Sequence, residues 1–126
     1  MPFDSPHLFD TLCGMSSAEL DDLPFGVIGF DAQGLIQRYN AHEARMANFE
    51  VATVMGQHVF VELAPCLNNY LVAGRFEEAQ DQALDETLPY VLSFRMRPTR
   101  VQMRLLCSPD QPLRFILVQR QTSSTS

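Results

Sequence analysis

The sequence predicts an α+β domain: a five-stranded antiparallel sheet with small helices packed on one face and an N-terminal segment set apart as a cap. Three observations carry this. The C-terminal third alternates apolar and polar residues over three successive segments, as antiparallel strands with one buried face do. Near residue 30, two short apolar runs flank the turn sequence Asp31-Ala32-Gln33-Gly34, which reads as a hairpin. Between these β regions lie short helical stretches broken by glycine, proline and asparagine. A chain of 126 residues, 46% hydrophobic and 19% charged, is one domain with a core large enough to need no disulfide or metal.

Taken in order, residues 1–23 form the cap, 24–120 the folded domain and 121–126 a disordered tail. Phe3, Leu8, Phe9, Leu12 and Leu20 punctuate the acidic cap, and Ser16-Ser17-Ala18-Glu19 has the form of a capping box opening a short helix. Pro24 ends it. Gly26 to Phe30 and Leu35 to Arg38 are the two hairpin strands. Asn40 is placed to N-cap a helix through about Asn48, and a second short helix covers Val51 to Met55, stopped by Gly56. Residues 57–69 read as irregular, with Pro65 and Asn68-Asn69 as breakers. Gly74 to Thr87 reads as a charged helix with apolar positions at Phe76, Ala79 and Ala83. Leu88, Tyr90, Leu92, Phe94 and Met96 then share one parity against Arg95 and Arg97. Val101, Met103, Leu105 and Cys107 oppose Arg100, Gln102 and Arg104, and Ser108 to Pro112 turns the chain into Leu113 to Arg120.

Charge excludes some functions. The nine basic residues are all arginine, against fifteen acids, for a net charge of −6. Six acids and no arginine fall in residues 1–31, whereas six arginines and one acid fall in 95–126. An acidic total argues against a nucleic-acid partner. No apolar run approaches the ~20 residues that span a bilayer, and the N-terminus lacks the positive stretch of a secretory signal, so neither membrane nor export is expected. Cys13, Cys66 and Cys107 form no CxxC pair, which favours a reducing cytoplasm.

Chemistry has few places to reside. Tyr39 and Glu43 are four apart at the mouth of a short helix and share a face, so a phenol and a carboxyl there can grip one ligand oxygen; a solvated surface pair is the plainer reading of the spacing. Cys66 follows Ala64-Pro65, but neither His42 nor His58 is tied to it by spacing, so a turning-over cysteine hydrolase or acyltransferase lacks its orienting base. The three histidines and three cysteines never fall at metal-ligand spacing, and no phosphate loop or nucleophile elbow is present. An enzyme is not expected.

Leu20-Asp21-Asp22-Leu23-Pro24-Phe25-Gly26, Tyr39-Asn40-Ala41-His42-Glu43, Ala64-Pro65-Cys66 and Met96-Arg97-Pro98-Thr99 together resemble the photoactive yellow proteins, small blue-light receptors with a PAS fold. The order and separation of the blocks fit that family from about Leu20 to Arg120, with Gly56 and Phe60 also in register. The resemblance implies p-coumaric acid (4-hydroxycinnamic acid) held as a thioester on Cys66, its carbonyl on the Cys66 backbone N–H. It further implies a phenolate oxygen bonded by Tyr39 and Glu43, and Met96 lying over the chromophore to assist its thermal return to trans. A buried phenolate needs such charge-assisted bonds, and burial raises a carboxyl pKa so that a neutral Glu43 can donate its proton. Ala47 stands where the family commonly has threonine, Phe49 where it has arginine, Val59 where an aromatic is frequent and Phe94 where a tyrosine is. These departures bear on absorption maximum and cycle speed, and leave open a PAS-type ligand sensor or interaction module without photochemistry. The resemblance leaves the downstream signalling protein unnamed and fits a monomer or weak dimer.

The charge map adds one expectation. The acidic N-terminal segment should lie across the outer sheet face, its apolar residues as anchors and its acids near Arg95, Arg97, Arg100 and Arg104.

Overall fold

The computed structural model describes residues 3–79, 82–94 and 97–120, with the side chains of residues 93, 94 and 97 left out. Two short helices come first, α1 (Leu8–Cys13) and α2 (Ser17–Asp21), the second opened by the expected capping box between Ser16 and Glu19. The hairpin follows as β1 (Gly26–Phe30) and β2 (Ile36–Tyr39). Its turn is held by Asp31, whose Oδ1 accepts from the backbone N–H groups of Gln33 at 2.9 Å and Leu35 at 3.0 Å. Gly34 has a φ of +85° and would set a Cβ 2.4 Å from His58 Nε2, so both conformation and space require glycine there.

Helix α3 (Ala41–Ala47) begins at Asn40, as its capping chemistry predicts, and ends at Asn48 in the left-handed region. A single turn, α4 (Val51–Val54), follows. The stretch expected to be irregular contains a π-turn over Val59–Leu63 and a 3-10 turn over Pro65–Leu67 that carries Cys66. Helix α5 (Ala73–Glu78), β3 (Leu84–Phe94), β4 (Arg97–Cys107) and β5 (Arg114–Arg120) complete the chain.

One boundary differs from the sequence reading. The helix expected through Thr87 stops at Glu78, and Leu84 to Thr87 belong to β3. Leu84 pairs with Cys107 and Thr87 with Arg104. That pairing extends the Leu88-Tyr90-Leu92 parity back to Leu84, and inter-strand bonds override the helical propensity of the acidic segment. Pro89 is tolerated because β3 is an edge strand of the sheet, whose order is β2-β1-β5-β4-β3 with antiparallel pairing throughout.

Both sheet faces are covered. On the inner face Ile28, Tyr39, Leu92, Met103, Leu105, Ile116 and Val118 pack with Phe60, Leu63, Leu67 and Phe76 from the helical turns. On the outer face Phe3, Leu8, Leu12, Leu20 and Leu23 pack against Val27, Leu106, Phe115 and Leu117. The N-terminal segment therefore does sit on the outer face through its apolar residues, and β1 is buried along its whole length. The segment's hydrogen bonds to this face run mainly through backbone carbonyls. Arg104, 6% exposed, donates through Nη1 to the carbonyls of Phe3 at 3.0 Å and Ser5 at 2.8 Å, and holds Asp85 with Nε and Nη2 at 2.8 Å each. The arginine grips backbone carbonyls of the segment, and the Asp4 charge lies near enough to act on it as the expectation has it, though more weakly than Asp85. Arg100 is exposed, and Arg95, the side chain of Arg97 and residues 121–126 lie outside the described residues. Among the described residues no helix is long and apolar enough to cross a membrane.

Candidate functional site

The site grows from the junction of β2 and α3. Tyr39 ends β2 with its side chain on the inner face, and Asn40 turns the chain into α3. Asn40 is 1% exposed and does far more than cap. Its Oδ1 accepts from the N–H groups of Val27 at 2.9 Å and Glu43 at 3.1 Å, while its Nδ2 donates to the carbonyls of Leu20 and Phe25, both at 2.9 Å. One amide thus joins α2, β1 and α3.

Glu43, one turn on, is fully buried. A Cβ on Gly26 would lie 2.1 Å from its Oε1, so glycine at the start of β1 makes the room for the carboxyl. The Tyr39–Glu43 pair is therefore an interior pair and not the solvated contact that spacing alone favours. Burial, with the neighbouring Glu43 charge second, raises the Tyr39 phenol well above its ordinary range; the Arg120 charge opposes both. Burial also raises the Glu43 carboxyl, against the pull of the hydrogen bonds and charge of Arg120.

Arg120 is the residue that the sequence reading missed. Its Nη1 donates to Glu43 Oε1 at 2.7 Å and its Nη2 to Oε2 at 3.0 Å, and its side chain is 9% exposed. A signal for it exists in the sequence: Ile116, Val118 and Arg120 share a parity, and the first two belong to the inner cluster. An arginine on an apolar parity has to find an interior acid.

Cys66 is half-buried and packs against the same inner cluster that contains Tyr39, with Phe49 and Tyr90 also against it. Tyr90 donates to the Cys66 carbonyl at 2.6 Å, and Asn69 Nδ2 reaches the same carbonyl at 3.2 Å and Tyr90 Oη at 2.6 Å. Asn69 and Tyr90 fix the backbone of the cysteine turn, and neither was singled out by motif. Ala47 is buried at the end of α3, and a methyl there offers no hydroxyl to Tyr39. Met96 and the side chain of Phe94 lie outside the described residues. Of the other thiols, Cys107 is buried and Cys13 partly so, and burial raises both pKa values. His42 is half-buried, with Nδ1 enclosed and without a hydrogen-bond partner among the described residues. Among the described residues no cluster of His, Cys, Asp or Glu is arranged to hold a metal.

A sheet in this order, with a helical face enclosing a tyrosine, an acid and a half-buried cysteine, defines the chain as a PAS-fold domain; the PAS fold family matches residues 20–119. The PAS domain of an HTR-like protein from Haloarcula marismortui superposes with a TM-score of 0.62 at 15% identity over 90% of this chain and 97% of that one, a likeness of fold. The photoactive yellow protein of Halochromatium salexigens is 33% identical over 119 residues, 94% of this chain and 95% of its own length. That of Rhodobacter capsulatus is 27% identical over 95% of this chain and 97% of its own length. The photoactive yellow protein domain of the sensor histidine kinase Ppr from Rhodospirillum centenum superposes with a TM-score of 0.80 at 37% identity, over 87% of this chain and 97% of that domain. This chain belongs to the photoactive yellow protein family.

Proposed function

We propose that the chain is a blue-light photoreceptor whose chromophore, p-coumaric acid, is joined as a thioester to Cys66. The observation that supports this best is the burial of Tyr39 and Glu43 together with the packing of Cys66 against the inner cluster that contains Tyr39. Anchor and phenol-binding tyrosine thus share one apolar interior, which suits a flat aromatic acid. Loading is an acyl transfer. Cys66 Sγ takes the acyl group from an activated thioester of p-coumaric acid, and the proton lost from Cys66 goes to the departing thiol. When bound, the group supplies blue absorption and trans–cis isomerisation.

The chain's own residues supply the rest. Tyr39 donates to the phenolate oxygen, a role suited to a phenol whose own ionisation is suppressed by burial. Glu43 holds a proton in the dark and gives it up after isomerisation, since burial favours the neutral carboxyl. Asn69 and Tyr90 keep the Cys66 turn rigid. Met96 assists return to the dark state. A carboxylate newly formed at Glu43 strains the interior, and Asn40 links Glu43 directly to the Leu20 carbonyl of α2. The N-terminal segment then loosens from the outer face and signals to a separate protein.

The experiment is reconstitution with activated p-coumarate. Cys66→Ser should fold and remain without covalent pigment, while Cys13→Ser and Cys107→Ser colour normally. Covalent pigment on Cys66→Ser overturns the assignment. A second reading, a PAS-type sensor of another ligand, is favoured by Arg120 occupying both Glu43 oxygens; a chain that stays colourless after reconstitution supports that reading instead.

A further inference from the structure

Glu43 is enclosed on every side by identifiable groups. Gly26 of β1 backs its Oε1 with no side chain, and β1 contributes no charge. Tyr39 of β2 lies close enough for the two charges to interact. On its own helix, His42 carries a pKa lowered by burial, by Arg45 and by Arg120. From α2, Asp21 is engaged at the helix start, its Oδ1 accepting from the Ala41 N–H at 2.7 Å. From β5, the Arg120 fork meets both carboxyl oxygens, which leaves Arg120 as the cation placed directly on the acid.

We propose that Arg120 is the resident counter-cation of Glu43: a guanidinium already aimed at both oxygens receives the carboxylate that Glu43 becomes on giving up its proton. The pair lies 77 residues apart in the chain, and only the inward parity of β5 brings it together. Two parallel N–H···O bonds at 2.7 and 3.0 Å are the strong, charge-assisted form of arginine–carboxylate contact.

The inference rests on the reading of Glu43 as proton donor and alters the electrostatics of that transfer. The O–H electron pair stays on Glu43, the proton goes to the phenolate oxygen, and Arg120 keeps its charge throughout. One negative and one positive charge are therefore present before and after. The negative charge moves toward Arg120, which offsets part of the cost of the new buried carboxylate. Arg120 is a positioning residue: it sets how readily Glu43 holds and releases its proton.

The test needs no pigment. The protonated-carboxyl infrared band of the unloaded full chain, assigned by its loss in Glu43→Gln, is monitored against pH. Arg120→Gln should raise its midpoint by about 1 to 3 pH units, because an opposite charge at bonding distance favours the charged acid by that much. Arg120→Lys keeps the charge without the fork, and should fold and raise the midpoint by a smaller amount. An unmoved midpoint in both variants overturns the proposal. Since this is read without chromophore, a chain that never takes pigment leaves the Arg120 result standing. A pigmented chain with an unmoved midpoint removes only the role of Arg120.

Discussion

Replacing Asn40 separates a helix cap from a structural hub. If the side chain only capped α3, Asn40→Ala would cost about 1 kcal/mol and Asn40→Asp almost nothing, since both Asn and Asp cap well. The structure predicts otherwise. Alanine removes four interior hydrogen bonds at once, leaving the N–H groups of Val27 and Glu43 and the carbonyls of Leu20 and Phe25 without that partner. At about 1 kcal/mol per bond, and more where a buried donor stays unsatisfied, the expected loss is roughly 3 to 5 kcal/mol. Aspartate keeps the acceptor for Val27 and Glu43 but turns a carboxylate toward the carbonyls of Leu20 and Phe25, so it should be destabilised nearly as much. Equilibrium unfolding in urea reads this directly. With a slope of about 2 kcal/mol per molar, the midpoint should fall by roughly 2 M in both variants with the slope unchanged. A loss near 1 kcal/mol in alanine and none in aspartate refutes the hub and leaves only a cap.

Arg104→Gln removes the charged donor to the Phe3 and Ser5 carbonyls. Allowing for the half-exposed Asp85 end, this is worth roughly 2 kcal/mol of docking, so limited proteolysis within residues 1–23 should quicken about 30-fold. An unchanged rate contradicts the clamp. His42 is held below its ordinary value of 6.5 by burial, then by Arg45 and Arg120. The folded chain then binds that proton more weakly than the unfolded one. The resulting stability is full above 6.5 and is lost as pH falls through the lower folded value. His42→Gln should flatten the stability profile between about pH 7 and pH 5, and an unaltered slope assigns the loss to other groups. Met96→Ala in the pigmented chain should slow dark recovery, whereas lowered stability with an unchanged recovery rate makes Met96 plain core.

The readable parts of the fold were those written in adjacent residues. Asp31 and Gly34 build the β1–β2 turn by local bonds, Ser16 and Glu19 form a capping box, and Asn40 starts α3. The boundary between α5 and β3 was not readable locally, because Leu84 to Thr87 suits the helix before it and becomes strand through pairing with β4. The site divides in the same way. Spacing sets Tyr39 and Glu43 four apart on an expected helix face, whereas Tyr39 ends β2 ahead of the Asn40 cap, and nothing local says that the pair is interior. That depends on Gly26 making room and on Arg120 arriving from the far end of the chain. The parity of Ile116 and Val118 points Arg120 inward, a signal the sequence reading did not use, and parity places Arg104 outward. The roof of Phe3, Leu8 and Leu12 over the outer face was expected from the apolar residues of the segment, and it turns Arg104 into a buried residue.

In the proposed photoreceptor, Cys66 carries p-coumarate within reach of Tyr39 and Glu43, and light acts on it. The most direct measurement is the intact mass and visible spectrum of the full chain after exposure to activated p-coumarate, with peptide mapping of the product. A photoreceptor of this design becomes a yellow protein heavier by one coumaroyl group, with the addition on the peptide containing Cys66 and a visible band that bleaches under blue light and returns in the dark. A chain of unchanged mass, or one acylated at Cys13 or Cys107 with no bleaching band, contradicts it.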